Sequence, residues 1–159
     1  MKPVIIYFSY TNHTKEIAYM IKDELNCDIY EIKTIIPYSS DYDEVVEDEQ
    51  NSQASTHLPD IVDLNINLDA YDTIILGTPV WWYRPAPAIR TFLVQYNLEN
   101  KVIIPYATNA GWLGKTFKEI KKLAHSSIVE KEMSIKYKSY SDDLITKVED
   151  IKAWIKSFN

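Results

Sequence analysis

Short apolar runs alternate along this chain with segments in which apolar residues recur every three or four positions. The first run, Pro3–Phe8, is nearly continuous in β-branched and aromatic residues, which is typical of a strand buried on both faces. In the segments between these runs, the spacing of the apolar residues is that of one face of a helix. The predicted strands are Pro3–Phe8, Cys27–Lys33, Thr73–Leu76, Lys101–Ala107 and Ile128–Lys136.

Helices are predicted between these strands and after the last of them. One follows the polar turn Ser9–Thr14, one begins near Pro85 and Pro87, and two cover Lys115–Ala124 and Asp142–Phe158. Strands that alternate with helices are typical of βαβ units around a parallel sheet. The pattern therefore predicts an α/β fold, a three-layer doubly wound domain with a five-stranded parallel sheet.

Residues 34–68 depart from this pattern because they are too many for a simple connection between two strands. The first part of the segment is acidic, and a short helix is predicted around Tyr42–Gln50. Long connections in α/β domains are often binding loops, whereas a run of charges is usually a solvated face. We interpret the acids as solvated and leave open that the segment forms a wall or lid over a site.

The length and composition fit one globular domain over residues 1–159, with 46% hydrophobic and 25% charged residues. The net charge of -6, with the acidic excess before residue 115, argues against nucleic acid as a partner. No apolar run approaches the roughly 18 residues of a membrane span, and the first residues lack a signal peptide's pattern. We therefore expect a cytoplasmic protein. The single cysteine, Cys27, excludes an internal disulfide and a thiolate metal site.

Three predicted strand ends carry side chains suited to a ligand, and such ends meet at one edge of a parallel sheet. Ser9–Thr14 offers hydroxyls and backbone N–H groups before a helix, which suits a phosphate and equally an ordinary helix cap. Trp81, Trp82 and Tyr83 cannot all face a core, so an aromatic face here could stack on a flat heterocycle. Thr108–Gly114 is small and polar, which lets the backbone approach a ligand closely.

These segments carry a family resemblance. They read YFSYTNHT at Tyr7–Thr14, GTPVWWYRPAPAIRTFL at Gly77–Leu93 and PYATNAGWLG at Pro105–Gly114. The chain resembles the flavodoxin-like proteins that bind flavin mononucleotide (FMN), especially the bacterial group that combines a YFSxTGNT-type loop with a GxPxWW loop and a TSGGSG-type loop. Asn12 and His13 replace a Gly-Asn pair of that group. Because Asn adopts a left-handed backbone more readily than most residues, we expect Asn12 to take the place of the glycine.

The resemblance implies an FMN site whose residues can be named. FMN carries out the redox chemistry itself, so no catalytic side chain and no metal are required. The phosphate would be bound by Ser9, Thr11, Asn12, His13 and Thr14, with Tyr10 nearby. The isoalloxazine ring would be flanked by Pro79, Val80, Trp81, Trp82 and Tyr83 on one side and by Thr108, Asn109, Ala110, Gly111 and Trp112 on the other.

The resemblance also implies electron transfer, with two redox classes left open. The first is a carrier that docks on redox partner proteins. The second is an FMN-dependent NAD(P)H oxidoreductase that acts on a small quinone-like acceptor, although the chain has no G-x-G-x-x-G motif. A phospho-acceptor signalling domain is disfavoured because no acid follows the first strand. A family member that has lost FMN stays open because of Asn12, His13 and Trp112.

Overall fold

The computed structural model describes residues 1–52, of which 48–52 by backbone alone, and residues 58–159. The strands are β1 (Pro3–Tyr7), β2 (Asp28–Glu31), β3 (Thr73–Trp81), β4 (Arg84–Pro85), β5 (Val102–Asn109), β6 (Ile128–Val129) and β7 (Met133–Lys136). The helices are α1 (His13–Leu25), α2 (Tyr42–Ser52), α3 (Pro87–Gln95), α4 (Thr116–Leu123) and α5 (Val148–Lys156), and a single 3-10 turn covers Leu68–Ala70.

The main sheet is parallel and has the strand order β2-β1-β3-β5-β6, with β7 beside the carboxyl end of β5. The order reverses between β1 and β3, because the chain moves outward from β1 to β2 and then returns to the other side of β1. The short strand β4 pairs antiparallel with the end of β3. The predicted α/β fold with a doubly wound parallel sheet is confirmed.

Helices cover both faces of this sheet, as the alternation of side chains along β1 requires. Val4 and Ile6 belong to the core cluster that includes the apolar residues of α3 and α4. Ile5 and Tyr7 belong to the opposite cluster, which α1 and α5 complete. Each fully buried side chain of this size contributes about 1.5–3 kcal/mol. The two clusters therefore hold the three layers together and fix the edge at which the strands end.

Strand β3 continues past Gly77, where the sequence predicted a stop. A Cβ atom on Gly77 would overlap the ring of Tyr106, which lies on the neighbouring strand β5. Gly77 is therefore needed because the ring of Tyr106 approaches its backbone closely. The strand continues through Gly77 without a turn. Pro79 is tolerated because β1 no longer pairs with β3 beyond Gly77. The predicted end of the strand was wrong because Gly77 was interpreted as a turn residue. Its actual reason, the ring of Tyr106, lies on a neighbouring strand and is not visible in the local sequence.

The last predicted strand and helix also differ from the structure. The strand is divided into β6 and β7, and Lys131 between them has a left-handed backbone with φ 55°. Helix α5 begins at Val148, six residues later than predicted from Asp142. Leu144, which the periodicity placed on that helix, instead bridges to Tyr137 in antiparallel fashion. Contacts to distant parts of the chain replace the local helical preference in this segment.

The long connection contains the predicted helix, which extends over Tyr42–Ser52. Asp41, Asp43, Glu44 and Glu47 are exposed, which confirms the interpretation that these acids are solvated. The side chains of the remaining acids of this run, and residues 53–57 of the connection, lie outside the described residues. None of the helices described is both long enough and apolar enough to cross a membrane.

Candidate functional site

A cavity of about 590 Å³ opens where β1, β3 and β5 end, at the place where the strand order reverses. Ligands of doubly wound sheets bind at such a place. Residues from all three predicted segments line the cavity: Tyr10, Thr11, His13, Pro79, Val80, Trp81, Trp82, Tyr83, Thr108, Asn109, Ala110 and Trp112. Four predicted residues, Ser9, Asn12, Thr14 and Gly111, are absent from this lining.

The loop Ser9–Thr14 leads into α1 with its backbone in an unusual conformation. Asn12 has φ 71°, in the left-handed region, which confirms that it takes the conformation expected of the glycine it replaces. Its side chain makes no capping hydrogen bond to the helix. The first N–H groups of a helix have no acceptor within the helix itself. The alternative of a cap by the Asn12 side chain is therefore disfavoured. The hydroxyl oxygen of Ser9 accepts the N–H group of Lys15 over 3.3 Å, and the N–H groups of His13 and Thr14 stay available to an anion.

Buried hydroxyls support this loop from beneath. The Oγ1 atoms of Thr14 and Thr108 share a hydrogen bond of 2.7 Å, and both side chains are buried. The hydroxyl of Tyr106 donates to the carbonyl oxygen of Thr14 over 2.9 Å. Burial raises the pKa of Tyr106 well above its usual value, so this hydroxyl stays protonated as a donor. Thr14 therefore supports the loop from the core and does not face the cavity.

His13 is held on two sides. Its Nε2 atom lies 2.9 Å from a carboxylate oxygen of Asp142. Its ring stacks on that of Tyr137, with the centroids 3.9 Å apart and the planes 2° from parallel. The Tyr137 hydroxyl donates to the His13 carbonyl oxygen over 3.4 Å. His13 lines the cavity, but its Nε2 atom is bonded to Asp142, so this nitrogen does not face the place expected for a phosphate.

The aromatic segment forms a tight hairpin between β3 and β4. Trp81 pairs with Arg84, which leaves Trp82 and Tyr83 as a two-residue turn. Both turn residues have positive φ, 53° and 62°, the combination that two-residue hairpins usually reserve for Asn and Gly. A left-handed backbone costs a residue with a side chain about 1–2 kcal/mol. Backbone strain of this kind is often found at functional sites.

Contacts with the start of α4 hold the strained turn in place. The carbonyl oxygen of Tyr83 accepts a hydrogen bond of 2.9 Å from the backbone N–H of Lys115. Gly114 lies so close to Tyr83 that a Cβ atom there would overlap it. Arg84 makes two hydrogen bonds to the carboxylate of Glu119. Burial raises the pKa of Glu119, but the bonds and charge of Arg84 together with the charges of Arg90 and Lys122 outweigh this effect, and the net pKa is lowered.

The aromatic residues divide into a packed group and an exposed group. Trp81 contacts Phe8, Tyr10 and Tyr38 edge to face, with ring centroids 5.0–5.8 Å apart. Trp82, Tyr83 and Trp112 are exposed at the mouth of the cavity, where none of their rings contacts another aromatic ring of the described chain. Trp112 is 59% exposed, so it lies at the rim and leaves the cavity open.

The third loop is shaped by Asn109. Its side-chain amide donates to the hydroxyl of Ser134 over 2.9 Å, and its side-chain oxygen accepts the backbone N–H of Gly111 over 2.9 Å. Gly111 has φ 114°, which a residue with a side chain rarely adopts. Asn109 therefore positions the loop, and the backbone of Ala110 lies against the cavity.

A further wall of the cavity has two parts. Tyr42 from α2 lies in the long connection, for which a role as a wall was left open. The second part was missed at the sequence level and consists of Tyr137, Lys138, Ser139, Tyr140, Ser141 and Asp142 after β7. The rings of Tyr42 and Tyr140 meet edge to face with centroids 6.2 Å apart. A signal was present, because a run of Ser and Tyr follows the carboxyl end of the fifth predicted strand. The predicted helix start at Asp142 concealed it.

The sequence model of the flavodoxin family matches residues 2–157. The chain therefore belongs to the flavodoxin family, in agreement with the resemblance of its loops. No curated protein matches the chain.

Solved structures agree with this assignment. A flavoprotein from Lactobacillus acidophilus NCFM in complex with FMN is 27% identical, with a TM-score of 0.73 over 84% of this chain and 91% of that chain. A protein from Bacteroides uniformis ATCC 8492 assigned as a flavoprotein is 25% identical, with a TM-score of 0.81 over 98% of this chain and 97% of that chain. A WrbA-like flavodoxin from Agrobacterium tumefaciens, 19% identical over 96% of this chain and 89% of that chain, shares the fold with a TM-score of 0.62.

Proposed function

We propose that residues 1–159 form a single flavodoxin-like domain that binds FMN in this cavity and transfers electrons as a redox carrier. The observation that carries the proposal is the N-terminus of α1, where the side chain of Asn12 makes no cap and its backbone is left-handed, at the same cavity as the aromatic hairpin. One end of the cavity thus suits a phosphate and the other suits a flat ring. FMN is also the ligand of the L. acidophilus relative.

The phosphate end fits the cofactor by its set of donors. The N–H groups at the start of α1 have no acceptor within the helix, and the exposed Thr11 lines the cavity. Ser9 accepts the backbone N–H of Lys15 through its hydroxyl oxygen over 3.3 Å, which leaves its own proton free to donate. We assign phosphate binding to the hydroxyl groups of Ser9 and Thr11 and to the backbone of Asn12, His13 and Thr14, while the side chain of Thr14 bonds to Thr108 beneath the loop.

The ring end fits the cofactor by shape. The hairpin Trp82–Tyr83 and the loop Thr108–Trp112 approach the cavity from two sides, which provides flat apolar surface and backbone polar groups. When bound, FMN supplies the electron-transfer chemistry. The residues of this chain orient it, exclude water from its inner face and leave its outer edge accessible through the open mouth.

A second candidate function is an FMN-dependent NAD(P)H oxidoreductase that acts on a small quinone-like acceptor. The exposed rings of Trp82, Tyr83 and Trp112 favour it, because a planar substrate could stack on them at the mouth. The carrier instead uses redox partner proteins that dock over the same edge. The two functions differ in whether NAD(P)H delivers electrons directly.

The test is the visible absorption spectrum of the purified protein after incubation with excess FMN and removal of unbound flavin. We expect retained flavin absorbance, and half-reduced flavin at the midpoint of an anaerobic dithionite titration if the protein is a carrier. Rapid oxidation of added NAD(P)H without half-reduced flavin would favour the oxidoreductase. A protein that retains no flavin and shows no FMN affinity would contradict the proposal.

A further inference from the structure

The cavity has a cation that the phosphate loop lacks. Ser9–Thr14 contains no Lys or Arg, although a phosphate monoester carries about -1.5 to -2 charges at neutral pH. Among the described residues that line the cavity, Lys138 is the one Lys or Arg side chain. It belongs to the wall after β7 and lies far from the phosphate loop in sequence.

The backbone of Lys138 is fixed beside the phosphate loop. The preceding residue, Tyr137, stacks on His13 with the ring centroids 3.9 Å apart, and its hydroxyl bonds to the His13 carbonyl oxygen. The N–H group of Lys138 itself donates to the carbonyl oxygen of Asp143 over 2.9 Å. The chain therefore passes directly from a residue in contact with the phosphate loop to a lysine at the cavity.

The ammonium group of Lys138 is free to meet a ligand. It makes no hydrogen bond or ion pair with any residue that the structure describes, and its side chain is exposed. Asp142 lines the same cavity and could compete with a phosphate for the ammonium group of Lys138. Its carboxylate oxygen, however, lies 2.9 Å from Nε2 of His13. One carboxylate oxygen of Asp142 thus bonds to His13, and no ion pair joins Asp142 to Lys138.

We propose that Lys138 is a further phosphate-binding residue, which supplies from the opposite end of the chain the positive charge that the phosphate loop lacks. Lys138 makes the site prefer FMN over riboflavin, the same flavin without the phosphate. The inference rests on the proposed function. Because the lysine is exposed, the attraction acts in a wet, screened environment, and we expect it to change FMN affinity by about fivefold.

The test compares Lys138→Gln with Lys118→Gln. Lys118 is also exposed, does not line the cavity and has no partner among the described residues, so both variants lose one charge. FMN and riboflavin are each titrated into the purified proteins at about 0.01 M and about 1 M salt, where the Debye length falls from about 30 Å to about 3 Å.

We expect Lys138→Gln to weaken FMN binding about fivefold at low salt and to leave riboflavin binding unchanged, with the difference vanishing at high salt. Lys138→Arg should retain wild-type affinity. Equal FMN affinities of Lys138→Gln and the wild type at low salt would overturn the inference, as would equal weakening by Lys118→Gln or a parallel loss for riboflavin. A wild-type protein that binds no FMN would overturn the proposed function together with this inference.

Discussion

The two ends of the cavity are built in opposite ways. At the phosphate end, the loop before α1 is supported by buried hydroxyl groups of Thr108 and Tyr106. At the aromatic end, the rings of Trp82 and Tyr83 are exposed on a turn whose backbone is strained. One end depends on the core, and the other depends on contacts that hold a locally unfavourable conformation.

Because of this difference, we expect substitutions at the two ends to change the free energy of unfolding and the FMN affinity in different ways. At the phosphate end, a change that weakens the core also loosens the ligand's donors, so stability and FMN affinity should fall together. In the hairpin, substitutions that relieve the strain should raise stability while they remove the rings that we propose face the flavin, as is common where a site stores strain. Four variants test this contrast, from the largest expected effect to the smallest.

Gly77→Ala should have the largest effect. Its Cβ atom would overlap the buried ring of Tyr106, and overpacking of this kind costs about 1–3 kcal/mol. We expect a loss of about 3 kcal/mol in the free energy of unfolding, measured with urea, and weaker FMN binding. In a Tyr106→Leu background the same substitution should cost much less. An equal loss in both backgrounds would show that the ring is not the reason for the glycine.

Thr108→Val should lower both quantities more moderately. The variant keeps the shape of the side chain but leaves the buried hydroxyl of Thr14 without its partner, a loss of about 1–2 kcal/mol. Thr91→Val is the matched control, because Thr91 is buried and bonded to Pro59 and Pro87 away from the cavity. We expect both variants to lose stability in thermal unfolding and Thr108→Val alone to lose FMN affinity. Unchanged FMN affinity in Thr108→Val would contradict the view that the buried bond between Thr14 and Thr108 supports FMN binding.

The double substitution Trp82→Asn with Tyr83→Gly should move the two quantities in opposite directions. Asn and Gly accept positive φ at both turn positions, so we expect a gain of about 1 kcal/mol in stability. FMN binding should weaken because two aromatic faces are lost. Trp82→Phe with Tyr83→Phe retains both rings and the strain, and serves as the control. A double variant that loses stability would contradict the view that the turn is strained.

Glu119→Gln should have the smallest effect. The ion pair with Arg84 is partly exposed, so we expect a loss below about 1 kcal/mol. Because Arg84 lowers the pKa of Glu119, this stabilisation is present above the usual carboxyl pKa and fades as the pH falls through the lowered pKa. The melting temperatures of variant and wild type should therefore differ at neutral pH and converge in acid. A gap that persists in acid would exclude the ion pair as its source.

The sequence predicted those parts of the molecule that local signals determine. The apolar run Pro3–Phe8 indicated β1, and the conformational tolerance of Asn predicted the left-handed backbone at Asn12. Gly77 was misassigned because its reason is a ring on a neighbouring strand. The wall at residues 138–142 was missed because contacts with His13 and Tyr137 hold it, and periodicity does not report such contacts.

The hydrogen bond between His13 and Asp142 joins residues 129 positions apart, which has a consequence for biosynthesis. A ribosome delivers the phosphate loop among the first residues and the opposite wall only after β7 has been made. A nascent chain that ends before Tyr137 contains the loop but neither Lys138 nor Asp142. Because the cavity is complete only when this wall is present, we expect the cofactor to be loaded after β7 has been synthesised.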